Sequence, residues 1–215
     1  DAYSARGTLK ATLSDPSGLA DWLGAGGLSI PPLSASAQLD FDGNRLIRLS
    51  AVEGKSGGEA FTGRMELNRS GSSSTVSGEI VVGRLDLGGL LGSLVGPAAL
   101  IRGEGLWPEG PFATGDAPRT TSGRIRVTTP ELGGVGPLPV TDLAFDFDWD
   151  PTAVRLRGLG GTLGGGRVGL ELAVCCAGLL PDKQVTGRLS LQGVSLDSLA
   201  PAAVADALEG TITAA

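Results

Sequence analysis

The feature that most limits what this chain can fold into is a two-residue alternation of apolar and polar side chains. In RVGLELAV the apolar residues are Val168, Leu170, Leu172 and Val174, and LAFDFDWD places large apolar residues between aspartates in the same way. Successive side chains of a β-strand point to opposite faces, so each stretch predicts a strand with one apolar face. Roughly a dozen such stretches fill the chain. We therefore predict a mainly β fold, a long curved antiparallel sheet that forms a repeating β-groove with a few short helices.

Composition supports strands over helices. Glycine accounts for 36 of the 215 residues, more than twice its usual share of about 7%. Each glycine inside a helix costs about 1 kcal/mol relative to alanine. The apolar residues are mainly Leu, Val and Ala, so the chain lacks the low hydrophobicity typical of disorder. Helical signals are short, and we predict helices only near 16–23 and 88–94.

Charge and residue types exclude several classes of function. The net charge is −6, and the arginines and lysines are scattered singly, so no basic surface for nucleic acid is expected. Histidine is absent, which removes Ser-His-Asp and Cys-His nucleophiles and the commonest metal ligand. We predict that the protein is not an enzyme and has no catalytic residues, no metal ligands and no cofactor.

A glycine motif at Gly164, Gly166 and Gly169 has the spacing G-x-G-x-x-G. A dinucleotide site requires this motif to open a helix, so that the helix N-terminus binds the pyrophosphate. Here the glycines lead into a stretch with the period of a strand. The motif therefore predicts a tight connection between two antiparallel strands, and no nucleotide is expected as a partner.

An aspartate row at Asp146, Asp148 and Asp150 resembles the start of a calcium loop. Pro151 and Arg157 stand where that loop requires Gly and Glu. We interpret the row as the solvent face of a strand that discourages edge pairing, with weak calcium binding as an alternative.

The two cysteines, Cys175 and Cys176, are neighbours at the end of a predicted strand. Their side chains should point to opposite faces. We expect small apolar or edge residues there, with a vicinal disulfide as the less favoured alternative.

The chain also repeats one β unit. Each copy needs a neighbour to cover its open edge, which favours a quasi-linear β array over two independent globules. We predict a first β-groove repeat over 1–97 and a second over 98–215 that runs into a truncated next unit. The matched pairs include Val76 and Val185, Gly78 and Gly187, Ile80 and Leu189, Val52 and Leu159, Gly57 and Gly164, and Met65 and Leu172.

An apolar stripe runs through both copies and is the strongest functional signal. Its alternate positions are filled by Leu, Val and Ile with few aromatics, which suits a smooth slot better than a thick sandwich core. We predict that these residues line a lipid groove: Phe61, Met65, Ile80, Val82, Val168, Leu170, Leu172, Val174, Leu189 and Leu191.

Three stretches carry a resemblance to a known family. They are LSDPSGLADWLG with the following PPLSASAQLDFDGNRLIRLSAVEG, FTGRMELN with STVSGEIVVGRLDLGGLL, and LAFDFDWDPTAVRLRGLGGTLGGGRVGLELAV with VTGRLSLQGVSLDSLAP. Their rhythm of strand, glycine-rich turn, strand and Leu-rich short helix resembles the AsmA family of Gram-negative envelope proteins. These are relatives of TamB in the bridge-like lipid-transfer group.

The resemblance implies a periplasmic β-groove that conducts phospholipid acyl chains for outer-membrane biogenesis, anchored in the inner membrane. No apolar stretch here reaches the about 18 residues that a transmembrane helix needs, so the anchor is expected outside this chain. One alternative is a structural or adhesive surface β-repeat protein with a closed dry core. Another is a carbohydrate- or calcium-binding domain, or an enzyme that uses aspartate pairs.

Overall fold

The computed structural model describes residues 3–16, 31–43, 45–70, 73–87, 90, 121–133, 140–175, 184–195 and 211–214. These residues form almost only strands, and helical geometry within them is limited to Leu87 and Leu90. The predicted helix at 16–23 lies outside the described residues except Pro16, which is not helical. The predicted helix at 88–94 lies outside them except Leu90.

The strands follow one another along the chain with short turns or longer connections. They are β1 (Ser4–Leu13), β2 (Leu33–Asp42), β3 (Leu46–Ser56), β4 (Glu59–Ser70), β5 (Ser73–Val82), β6 (Leu85–Asp86), β7 (Thr121–Gly133), β8 (Val140–Trp149), β9 (Ala153–Leu163), β10 (Gly166–Cys175), β11 (Gln184–Ser195) and β12 (Thr211–Ala214).

All of these strands belong to one open, curved sheet, so the predicted fold class is confirmed. Their order is β1-β2-β3-β4-β5-β7-β8-β9-β10-β11-β12, and β6 pairs with β7 off this path. The sheet departs from the prediction at one joint, because β5 and β6 pair with β7 in parallel. Parallel neighbours cannot be joined by a tight hairpin, and a long connection, called the crossover below, separates β5 from β7 in the sequence.

The two halves of the sheet pair in the same register. Phe61 lies opposite Val82 in β4 and β5, and Val168 lies opposite Leu191 at the corresponding place in β10 and β11. The same correspondence holds for the other pairs of these strands, including Leu67 opposite Val76 and Val174 opposite Val185. The strands β1–β5 and β7–β11 are therefore called the first and second units below. The predicted boundaries at 1–97 and 98–215 stay a prediction.

Irregularities recur at matched positions of the two units. A bulge interrupts β3 next to Ala51, which has φ 47°, and the corresponding bulge in β9 contains Gly158, with φ 58°. Two-residue glycine turns join β3 to β4 at 57–58 and β9 to β10 at 164–165. The positive φ angles of both glycines in each turn are those of the hairpin turns that match strand twist.

One face of the sheet is apolar in every strand from β1 to β11. Ala37 and Val76 are buried on this face in the first unit, but the large buried cluster lies in the second unit. The buried members are Leu90, Leu132, Val140, Leu143, Phe145, Val154, Leu156, Leu159, Leu163, Val174 and Val194. Leu85 and Leu87, at the start of the crossover, pack against this cluster. The crossover therefore begins on the apolar face.

Candidate functional site

All ten residues predicted to line a groove lie on the same face of the sheet. Directly opposite residues of neighbouring strands share a face, and the register connects Ile80 to Val127 across the parallel joint. It then connects Val127 to Phe145, whose strand leads through β9 to Leu170 and Leu172 of β10. The face is thus continuous, although the ten residues form two groups on it, one in β4 and β5 and one in β10 and β11.

Most of the ten side chains are only half-buried. Val174 is buried at 4% exposure, and Leu189 is 55% exposed. The other eight are intermediate: Phe61, Met65, Ile80, Val82, Val168, Leu170, Leu172 and Leu191. Half-buried apolar side chains leave hydrocarbon surface in contact with water, which is unfavourable in free energy. An apolar molecule that covered this surface would remove that cost.

Sequence reasoning missed the middle of this face. Strands β7, β8 and β9 lie between the two groups and contribute Val127, Phe147 and Leu156, which belong to the same apolar cluster. The alternation in LAFDFDWD already indicated an apolar face for β8. The parallel joint places β7–β9 between the two groups, and alternation contains no information about strand order.

The opposite face is polar and is crossed by ion pairs between neighbouring strands. In most of these pairs the arginine lies directly opposite the carboxylate on the neighbouring strand. Such cross-strand pairs stabilise the register. The pairs are Arg6–Asp40 at 3.1 Å, Arg48–Glu66 at 3.0 Å, Arg64–Glu79 at 2.7 Å, Arg126–Asp146 at 3.1 Å, Arg157–Asp148 at 2.9 Å, Arg155–Asp150 at 2.7 Å, and Arg124–Asp148. One face of the sheet is therefore apolar, and the other is covered by charged side chains in ion pairs.

The aspartate row suspected of binding calcium is used within this polar face. Asp146 pairs with Arg126, and Asp148 pairs with both Arg124 and Arg157. Among the described residues, no three or more His, Cys, Asp or Glu side chains are grouped so that they could bind a metal ion. The carboxylates are oriented towards guanidinium groups of neighbouring strands.

Asp150 closes the turn between β8 and β9. Its Oδ1 accepts hydrogen bonds from the Thr152 hydroxyl at 2.6 Å, the Thr152 N–H at 2.8 Å and the Ala153 N–H at 3.0 Å. Its Oδ2 accepts one from Arg155 at 2.7 Å. These bonds, with the Thr152 hydroxyl and then Arg155 contributing most, lower the pKa of the Asp150 carboxyl below its usual range. Its oxygens are occupied by the turn.

A shallow depression of about 510 Å³ lies over the polar face of β3, β4, β5 and β7. Four arginines line it, at 48, 64, 124 and 126, together with Glu66 and Glu79. Each of these arginines pairs with a carboxylate of a neighbouring strand. The depression therefore presents neutralised pairs, and the apolar face remains the stronger candidate site.

The G-x-G-x-x-G motif is a hairpin turn, as predicted. Gly164 and Gly165 form the turn, and the Gly164 carbonyl accepts a hydrogen bond from the Ser195 N–H at 3.2 Å. A Cβ at Gly166 would collide with the backbone of β11 around Gly193. The motif's glycines therefore serve close packing between strands.

Cys175 ends β10 and is disulfide-bonded. The expectation that it would be a plain apolar or edge residue is wrong, because spacing alone does not decide whether two neighbouring sulfurs bond. The only other cysteine in the sequence is Cys176, which lies outside the described residues.

Within the part of the chain that the structure describes, no helix is both long and apolar enough to cross a bilayer. Comparisons with protein-family models, with curated proteins and with solved structures each found no match to this chain.

Proposed function

We propose that this protein shields phospholipid acyl chains on the apolar face of its sheet and conducts them along it, as a periplasmic part of outer-membrane biogenesis. The observation that supports the proposal is the continuous apolar face, on which Phe61, Met65, Ile80 and Val82 of the first unit are only half-buried. Acyl chains would lie on this face, and headgroups would remain in water at its margin.

The strength of binding follows from the partial exposure. Each methylene removed from water contributes about 0.8 kcal/mol, so a chain lying on Phe61, Met65, Ile80 and Val82 gains from many weak contacts. A repeated row of similar Leu, Val and Ile side chains offers nearly equal binding at successive positions. A lipid on such a surface moves along it without a large barrier.

Ion pairs keep the polar face unsuitable for acyl chains. Burying Arg64 and Glu79 beneath hydrocarbon would remove both charges from water at high cost. Lipid is therefore directed to one face, and substitutions on the two faces should differ in their effect.

The experiment compares two adjacent positions in β5 with opposite orientations. Ile80→Glu adds a carboxylate to the half-buried apolar face, and Val81→Glu adds the same group to the polar face, where Val81 is 50% exposed. The probe is NBD-labelled phosphatidylethanolamine in phosphatidylcholine vesicles, and the readout is the transfer of the probe to unlabelled vesicles. We expect Ile80→Glu to reduce transfer strongly and Val81→Glu to leave it at the wild-type rate.

Circular dichroism and urea unfolding show whether each variant is folded, so that loss of transfer can be assigned to the face. Equal transfer by the folded Ile80→Glu variant and the wild type would contradict the proposal. A wild-type protein that neither extracts the probe nor retains lipid in native mass spectrometry would also contradict it. That result would favour the structural or adhesive β-repeat protein.

A further inference from the structure

Strands β1 and β11, near the two ends of the sheet, expose large apolar side chains whose counterparts in the middle of the sheet are less exposed. Val185 of β11 is 58% exposed, whereas its counterpart Val76 in β5 is 4% exposed. Leu189 of β11 is 55% exposed and Leu9 of β1 is 44% exposed. In the described residues, β5 differs from β11 in having β7 beside it over this stretch.

The joint between the two units shows how such an edge is covered. β5 pairs in parallel with β7, with Val76 opposite Gly123, Gly78 opposite Ile125 and Ile80 opposite Val127. The counterpart of β5 is β11, as the shared register of β4–β5 and β10–β11 shows. The counterpart of β7 is β1, which pairs with β2 as β7 pairs with β8.

We propose that copies of this chain associate head to tail, with β11 of one copy pairing in parallel with β1 of the next. Transferring the register of the internal joint places Val185 opposite Ala5, Gly187 opposite Gly7 and Leu189 opposite Leu9. The exposed apolar residues of both edges then meet on the apolar face. This proposal does not depend on lipid binding.

The directions and free edges of the strands allow this joint. Antiparallel pairing reverses direction at every step of the sheet except the parallel step from β5 to β7, so β1 and β11 point the same way. β12 pairs with β11 only at Leu191, Val194 and Ser195. Among the described residues, no strand pairs with the outer side of β11 over 184–190. This stretch corresponds to the part of β5 that pairs with β7.

The joint is heterologous, since it brings together two different edges. Such an interface does not close on itself unless the rotation between copies completes a ring, so open chains of copies are expected. Pairing of β1 with a second β1 would instead give an antiparallel twofold dimer.

Disulfide trapping between singly substituted proteins distinguishes these arrangements. Leu9→Cys protein is mixed with Leu189→Cys protein without lipid and oxidised, because the proposed register brings these positions into disulfide range. We expect a mixed dimer at several times the yield from Leu9→Cys with Val185→Cys, which is out of register, or Lys10→Cys with Leu189→Cys, which is on the wrong face. Wild-type protein oxidised in the same way shows how much dimer the native cysteines form by themselves.

Sedimentation velocity provides the second measurement. We expect the wild type to associate with rising concentration, Leu189→Glu to remain monomeric, and Val81→Glu, which adds the same charge away from both edges, to associate like the wild type. A wild type that is monomeric throughout, or Leu9→Cys homodimers exceeding the mixed dimer, would overturn the proposal. Either result would leave the lipid-transfer test unaffected.

Discussion

The first and second units pair their strands in the same register, with the bulge and the glycine turn at matched positions, yet they bury their apolar faces to different extents. In the second unit Phe145 is 2% exposed and Leu156 is 1% exposed. In the first unit their counterparts are Ala37, which is buried but small, and Leu49, which is half-buried. A shared backbone pattern therefore does not produce a shared core.

Two physical differences account for this contrast. The second unit has larger side chains at matched positions of β8 and β2, where Leu143 and Phe145 correspond to Ala35 and Ala37. The next two matches differ less, since Phe147 and Trp149 correspond to Leu39 and Phe41. It also lies beneath Leu85, Leu87 and Leu90 of the crossover. Larger side chains with a covering segment remove more apolar area from water, so the second unit should contribute most of the stability. The first unit is left with the more accessible face.

The largest expected difference between the units is in their response to loss of a leucine. Leu156→Ala should lower the free energy of unfolding by about 3 kcal/mol, because it leaves a cavity in a buried site. Leu49→Ala, at the matched position, should lower it by about 1 kcal/mol, because the half-exposed site loses less burial. Urea unfolding measures both. Equal losses would show that the two units are equally well packed.

A smaller difference is expected for a matched pair of aspartates. The Asp148 side chain is 9% exposed and pairs with two arginines, whereas Asp40 is 37% exposed and pairs with the 84% exposed Arg6. Asp148→Asn should cost about 1–2 kcal/mol, limited by the exposure of its arginines, and Asp40→Asn less than about 0.5 kcal/mol. Urea unfolding at low and high salt checks this, and a larger cost at Asp40 would contradict the assignment of burial.

Effects of opposite sign are expected at the two matched bulges. Ala51 has a left-handed backbone that disfavours a Cβ, and Gly158 occupies the corresponding conformation without one. Ala51→Gly should raise the free energy of unfolding by about 1 kcal/mol, and Gly158→Ala should lower it by a similar amount. Thermal unfolding of both variants tests the equivalence. If both substitutions changed the free energy of unfolding in the same direction, the two bulges would not be equivalent.

Much of the sheet was predictable because the relevant signals are local. Alternation identified the strands and assigned Leu170 and Leu172 to the apolar face, since side-chain direction within a strand depends only on neighbouring backbone angles. The glycine motif that begins at Gly164 predicted the connection between two antiparallel strands, because it leads into a stretch with the period of a strand. The ten candidate groove residues were placed on one face for the same reason.

Other features depended on residues far apart in sequence. Alternation predicts a solvent face for the aspartates of LAFDFDWD, but Asp148 is buried at 6% exposure. Alternation cannot show that Arg124 and Arg157 of the two neighbouring strands pair with it. The disulfide at Cys175 was likewise not the favoured expectation. These contacts form only when separate strands become neighbours.

The sequence by itself determined which stretches are strands, which of their faces is apolar, and where the two units correspond, because these depend on local side-chain direction and on repeated spacing. Only the tertiary structure decided that β5 joins β7 in parallel and that the crossover begins over the second unit. It also decided that, among the described residues, β1 and the first part of β11 have a neighbouring strand on one side only. Strand order is set by long-range pairing and by the burial it allows, and neither is encoded in the period of a single strand.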